Sequence, residues 1–148
     1  MAKRWSGYNN VGICATALMA VLAHAEELSI AKALLVMPLV MHDATVRYMG
    51  NGNVTKREVA ALVAHRPDLF ANFNSRFAEC LAVTVNAIQL VVAAGYAKFD
   101  GKLVLLRQLD IDSSFGKRAQ RIAKAASHMA AVLAGPVDEL YLNFRVQL

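Results

Sequence analysis

Apolar residues run through this chain in long blocks broken by short polar or Gly/Pro-bearing stretches, and their spacing is helical over most of its length. The first block, Val11 to Leu22, follows Asn9-Asn10, either of which can cap a helix by accepting from its exposed amides. That helix is expected to run to about Glu27. Ser29 is placed to cap a second helix carrying Leu34, Leu35, Val36, Leu39 and Val40. Pro38 lacks an amide hydrogen and crowds the preceding turn, so it is expected to kink or interrupt that helix. Gly50-Asn51-Gly52-Asn53 reads as a loop. Thr55, with Glu58 three residues later, has the pattern of a capping box opening a short helix whose Val59, Leu62 and Val63 share a face.

Arg66-Pro67-Asp68 is the next break. Residues 68–94 then carry the longest pattern: Phe70, Phe73, Phe77, Leu81, Val85, Ile88 and Val92 recur every three or four residues, predicting one helix with one buried stripe. Gly95 sits where a left-handed stop is needed. Tyr96–Phe99 and Lys102–Leu106 flank Asp100-Gly101, a pair that favours the positive φ angles of a two-residue hairpin turn. A single hairpin must pack on helices to survive. Ser113 or Ser114 is expected to cap a helix over about 115–134, with Ile122, Ala126, Met129 and Leu133 inward and Gly135-Pro136 as its stop. A short element with Leu140, Tyr141, Leu142 and Phe144 follows. No repeat, low-complexity tract or linker appears, so residues 1–148 are expected to form a single domain. The fold class predicted is mainly α: one compact helical domain with one β-hairpin, a winged-helix-like element.

Composition adds a partner to this picture. The 148 residues suffice for a core, and 57% hydrophobic against 18% charged residues is the reverse of a disordered composition. So few charges leave apolar surface for another subunit to cover. The excess of Lys+Arg over Asp+Glu, net +5, permits an acidic partner such as nucleic acid without requiring one. Cys14 and Cys80 form no metal or redox spacing, and a reduced, cytoplasmic protein is the economical reading.

Residues 1–25 imitate a secretory signal: Lys3 and Arg4, the apolar run Val11–Leu22, then Ala23-His24-Ala25. The polar, turn-prone Trp5–Asn10 stretch between charge and apolar run argues against one, and an uncleaved core helix is expected. No membrane span is expected either, since the run ends at His24, Glu26 and Glu27, and the next, Ile30–Met41, carries Lys32 and Pro38.

Catalytic chemistry is not visible. There is no Gly-rich phosphate loop, nucleophile elbow or His-Glu-x-x-His helix, and His24, His42, His65 and His128 lie in separate candidate elements. The expectation is a non-enzyme with no metal and no cofactor. Two polar clusters stand out. His42-Asp43 with Arg47 interrupts an apolar region; Asp43 and Arg47 are four apart and can pair, and the three together are candidates for partner binding. Lys117, Arg118, Arg121 and Lys124 form a second cluster, in which Lys117, Arg121, Lys124 and His128 are expected to share one exposed helical face. With Lys98 and Lys102 of the hairpin, this ridge suggests a winged helix whose wing touches phosphate, or a surface for an acidic protein. The helix before the hairpin is too long and too apolar to read base edges, so nucleic-acid contact is expected to be blind to sequence.

Three segments carry a family likeness. They are Asn9-Asn10-Val11-Gly12 opening the first helix, the stretch from Val36-Met37-Pro38-Leu39-Val40-Met41-His42 to Thr45-Val46-Arg47, and the order long helix, Gly95-Tyr96, hairpin, basic helix, Leu142-Asn143-Phe144-Arg145-Val146. Together they resemble the middle component of bacterial three-component systems built around an ABC/SMC-like ATPase, the Lamassu-type anti-phage and anti-plasmid systems. The resemblance implies a small non-enzymatic subunit joining that ATPase to an effector, often a nuclease, with His42 and Arg47 on positions of the family's motif. A stand-alone winged-helix DNA-binding regulator is the alternative.

Overall fold

The computed structural model describes residues 10–54 and 56–148. Among them are seven α-helices and three short strands: α1 (Asn10–Ala25), β1 (Glu27–Ser29), α2 (Ile30–Val40), α3 (Asp43–Met49), α4 (Val59–His65), α5 (Phe73–Ala93), β2 (Ala97–Phe99), β3 (Lys102–Leu105), α6 (Lys117–Leu133) and α7 (Val137–Asn143). The mainly α fold with a hairpin is thus the observed one.

Every residue from Gly12 to Leu22 is buried. A helix apolar on all sides has no face to offer water, so α1 goes to the centre, with α5, α6 and α2 packed around it. Three phenylalanines anchor the far end: the Phe144 ring lies 4.4 Å from Phe73 and 5.3 Å from Phe70, and Tyr141 donates its hydroxyl to the Ala31 carbonyl.

Local signals act as expected at several ends. Ser29 caps α2 by accepting from the Lys32 amide, and Gly95, with φ of +80°, ends α5 while the Tyr96 amide bonds the Val91 carbonyl. Helix α2 passes through Pro38 and ends at Val40, where α3 takes over after Met41 and His42.

Elsewhere tertiary structure overrides the pattern. The first helix stops at Ala25, because Glu26 adopts a φ of +68° and Glu27–Ser29 form a strand that pairs antiparallel with β3. The sheet therefore has the order β1-β3-β2, and the hairpin is not alone. Its bend is also looser than the two-residue turn: Phe99 pairs with Leu103, and only Gly101 has a positive φ. Residues Pro67–Phe70 make a separate 3-10 turn, so α5 starts at Phe73 rather than 68. Ser113 and Ser114 lie in a 3-10 turn capped by the Asp112 carboxylate, and α6 starts only at Lys117. Helix α4 starts at Val59 with Glu58 at its cap position making no side-chain cap bond, so Glu58 does not serve as the third residue of a capping box; Thr55, like Asn9, lies outside the described residues.

A strand between the first two helices that joins a later hairpin in the order β1-β3-β2 is a winged-helix arrangement, here with α3 and α4 inserted before α5. In that arrangement α5 stands where the groove-reading helix of a DNA-binding domain would be.

Candidate functional site

Helix α3 is short, and it holds its place because Thr45, Val46 and Met49 are buried while α3 packs along α6. Its outer face carries Asp43 in the first turn and Arg47 in the last, the arrangement the helix dipole favours. On α6, Ala119, Ile122, Ala125 and Ala126 turn inward, which leaves Lys117, Arg118, Arg121 and Lys124 exposed. The packing brings the two clusters together. Asp43 approaches Arg47 Nε to 3.0 Å and Arg121 Nε to 3.9 Å, so one carboxylate serves two guanidinium groups. Beside them a cleft of about 320 Å³ is lined by Val46, Arg47, Gly50, Asn51, Gly52, Arg121 and Lys124. Among the described residues, Lys124 pairs with no carboxylate. Gly50 lets the loop lie close: a Cβ there would sit 3.1 Å from the Val46 carbonyl oxygen and 3.9 Å from Lys124 Cδ.

Five expected residues, His42, Lys98, Lys102, Arg118 and His128, do not line this cleft. His42 is hydrogen-bonded through Nδ1 to Thr45 Oγ1 at 2.7 Å, a local contact at the start of α3. Burial pushes its pKa below 6.5; the Arg76 charge adds to that and Asp43 opposes it. Lys102 pairs with Glu27 of β1 at 2.9 Å, and the hairpin rests on other elements, β2 on α5 and β3 on α1 and α2. Lys98 is exposed on that same hairpin, and neither Lys98 nor Lys102 lines the cleft.

His128 leaves the basic ridge altogether. It is 2% exposed, with Nε2 donating to the Lys56 carbonyl and Nδ1 3.2 Å from Arg57 Nη1. Burial lowers its pKa below 6.5, the Lys56 carbonyl works against that, and the Arg57 charge adds to it. Position 128 looks like a continuation of the 117–121–124 row, but the segment around Lys56 covers that end of α6. Arg118 turns toward the α2–α3 junction, its Nη2 3.8 Å from Met41 Sδ.

A second surface was not foreseen. The expected single stripe on α5 does not exist: Phe73, Phe77, Thr84, Ala87, Ile88 and Val91 face the core, whereas Leu81, Val85 and Val92 are 38%, 46% and 36% exposed. Ala78 and Ala82 are exposed on the same side. From Cys80 to Ala97 there is no Asp, Glu, Lys or Arg. The helix thus has one packed apolar face and a bare one that is mostly apolar, with Gln89 exposed between Val85 and Val92, and by length and composition it is the described helix that could cross a membrane. The signal that could have exposed this was in hand: Ala78, Val85 and Val92 repeat every seven residues, beside rather than within the buried row.

Among the described residues no group of three or more His, Cys, Asp and Glu side chains could hold a metal ion. Burial pushes the Cys14 thiol up to about 11, with Cys80 pushing the same way, and burial likewise raises the Cys80 thiol; neither environment favours a thiolate.

Residues 8–148 match the family model described as ABC-three component (ABC-3C) system Middle Component 3. No curated protein and no solved structure matches the chain.

Proposed function

The chain belongs to the middle component 3 family of ABC-three component systems, and from that premise we propose that it is a non-enzymatic, cytoplasmic docking subunit that links an SMC/ABC-like ATPase to an effector in a Lamassu-like defence complex. A middle component works alongside the other components of its system, so it needs surface to give them. The observation that carries this reading is the bare apolar face of α5. Leu81, Val85 and Val92 are large side chains that water would not choose, set in a rigid helix whose other face is locked into the core. Burying such residues contributes roughly 25 cal/mol per Å² of apolar area removed from water, and no charge lies among them to oppose it. A nuclease is the effector this reading favours, by the family resemblance.

The same face weighs against the stand-alone DNA-binding regulator. The helix in the groove-reading position offers no exposed cation from Phe77 to Ala97, and its exposed polar side chains there are Glu79, Asn86 and Gln89, set among exposed Leu81, Val85 and Val92. Nucleic acid enters the proposal only as an auxiliary, sequence-blind contact at the basic face of α6. The exposed face of α5 meets protein in this reading, not lipid, because its opposite side packs against α1 and α2.

The test is purification of the affinity-tagged chain from its native operon, with mass spectrometry of its companions. A large ATPase and an effector are expected to co-purify with the wild type and to be lost from a Leu81→Asp/Val85→Asp variant that keeps its helical circular dichroism. Retention of both by that variant would sink the α5 reading. Recovery of nucleic acid alone with the wild type would reinstate the regulator.

A further inference from the structure

We infer that the cleft between α3 and α6 is a phosphate-binding site that seats a backbone phosphate of a nucleic acid. The inference deepens the auxiliary contact named above and stands apart from docking through α5.

Its basis is the convergence of three kinds of donor, guanidinium, ammonium and backbone amide, on one cavity. Arg47 arrives from α3, Arg121 and Lys124 from α6, and the Gly50-Asn51-Gly52 loop closes the remaining side. Arg47 and Arg121 share the Asp43 carboxylate and Lys124 pairs with none, so three cations against one carboxylate leave the cleft a surplus of two positive charges. The loop adds backbone. The Asn51 amide bonds the Tyr48 carbonyl, the Asn53 amide bonds the Asn51 side chain and the Val54 amide bonds the Asn51 carbonyl, whereas the Gly52 amide has no partner among the described residues. Around Gly52 there is open space where a Cβ would be. A loop amide with no partner among the described residues, an ammonium without a carboxylate and two guanidinium groups thus line one cleft, and these are the donor types a tetrahedral anion uses.

Asp43 has a second part in this arrangement. By engaging Arg47 and Arg121 at once it pre-positions both guanidinium groups at the rim, which lowers the ordering cost a ligand would otherwise meet. The ridge also runs on past the cleft: Lys117 lies one helical turn before Arg121, about 6 Å along the axis at 1.5 Å per residue. A row of cations leading out of a phosphate seat suits a continuous polyanion better than an isolated phosphate ion.

The test uses the full chain and a fluorescein-labelled mixed-sequence 20-base-pair duplex, followed by anisotropy at low salt, with ATP and pyrophosphate as free-phosphate probes. Wild type is expected to bind the duplex with an affinity that falls with salt, and Arg47→Gln/Arg121→Gln/Lys124→Gln is expected to weaken it at least tenfold and flatten the salt slope by two to three phosphates. Millimolar ATP or pyrophosphate is expected not to displace the duplex. Because all three side chains are exposed, the triple variant is expected to fold, which circular dichroism checks. Unchanged duplex binding by the folded triple variant would overturn the inference, as would absence of duplex binding by the wild type. Tight binding of ATP in place of duplex would keep a phosphate site but overturn the backbone as its source. Loss of partners on changing α5, with duplex binding intact, would leave this inference standing.

Discussion

The Asp43 carboxylate on α3 lies 3.9 Å from Arg121 Nε on α6. Residues distant in the chain are thereby joined at one rim, because the same carboxylate also holds Arg47 at 3.0 Å. Replacing Asp43 with Asn should leave stability within about 1 kcal/mol, since both pairs are solvent-exposed and screened. It should also raise duplex affinity a few-fold, because the cleft gains a positive charge. A thermal melt and a duplex titration of the variant check the two halves separately; a variant that binds duplex less well would show that pre-positioning by Asp43 outweighs its charge.

Phe77 and Leu81 are one turn apart on α5 and should behave as opposites. Phe77 is 2% exposed, and truncation to Ala should cost about 3–5 kcal/mol through lost burial and a residual cavity. Leu81→Ala should change stability by no more than about 0.5 kcal/mol in the isolated chain. Urea midpoints measure both, and an equal loss at the two positions would mean that the face around Leu81 is covered in solution.

Stability should fall as pH drops. His128 and His42 both have folded-state pKa values below the ordinary 6.5, so the unfolded chain takes up protons more readily than the folded one. The stability held at neutral pH is therefore lost as pH falls from about 6.5 toward the depressed folded values, and changes little above pH 7.5. Urea midpoints at pH 7.5 and 5.5 should differ in that sense. His128→Gln should shrink the difference, and the wild-type midpoint rising at pH 5.5 would contradict the burial assignment.

Both thiols should be poor nucleophiles in the folded chain, and unequally so. Cys14 is 1% exposed and its pKa is pushed up to about 11, while Cys80 is half-buried on α5. A thiol reagent at pH 8 should modify Cys80 slowly and Cys14 only after denaturant is added. Rapid double labelling of the native chain would show that α1 is not enclosed.

Much of the architecture was legible along the chain because its causes are local. Ser29 could be read as a cap and Gly95 as a stop, since each acts through atoms a few residues away. The all-round apolar run of α1 could be read as a core helix for the same reason. Strand β1 could not, because three residues acquire strand geometry only from their pairing with β3, a partner far along the chain. Leu81 and Val85 were misassigned because periodicity reports that a helix has an apolar side, not which of two apolar sides the core will choose.

The candidate cleft divides in the same way. The chain by itself determined that Asp43 and Arg47 share a face, and that Lys117, Arg121 and Lys124 share another, because helical spacing is a local rule. Only tertiary structure decided that the two faces meet, that the Gly50-Asn51-Gly52 loop closes the gap between them, and that His128 and the hairpin lysines stand outside. The physical reason is that the packing of α3 on α6 is a property of buried surfaces such as Val46, Met49 and Ile122, whose fit depends on the whole core and is written in no single stretch of residues.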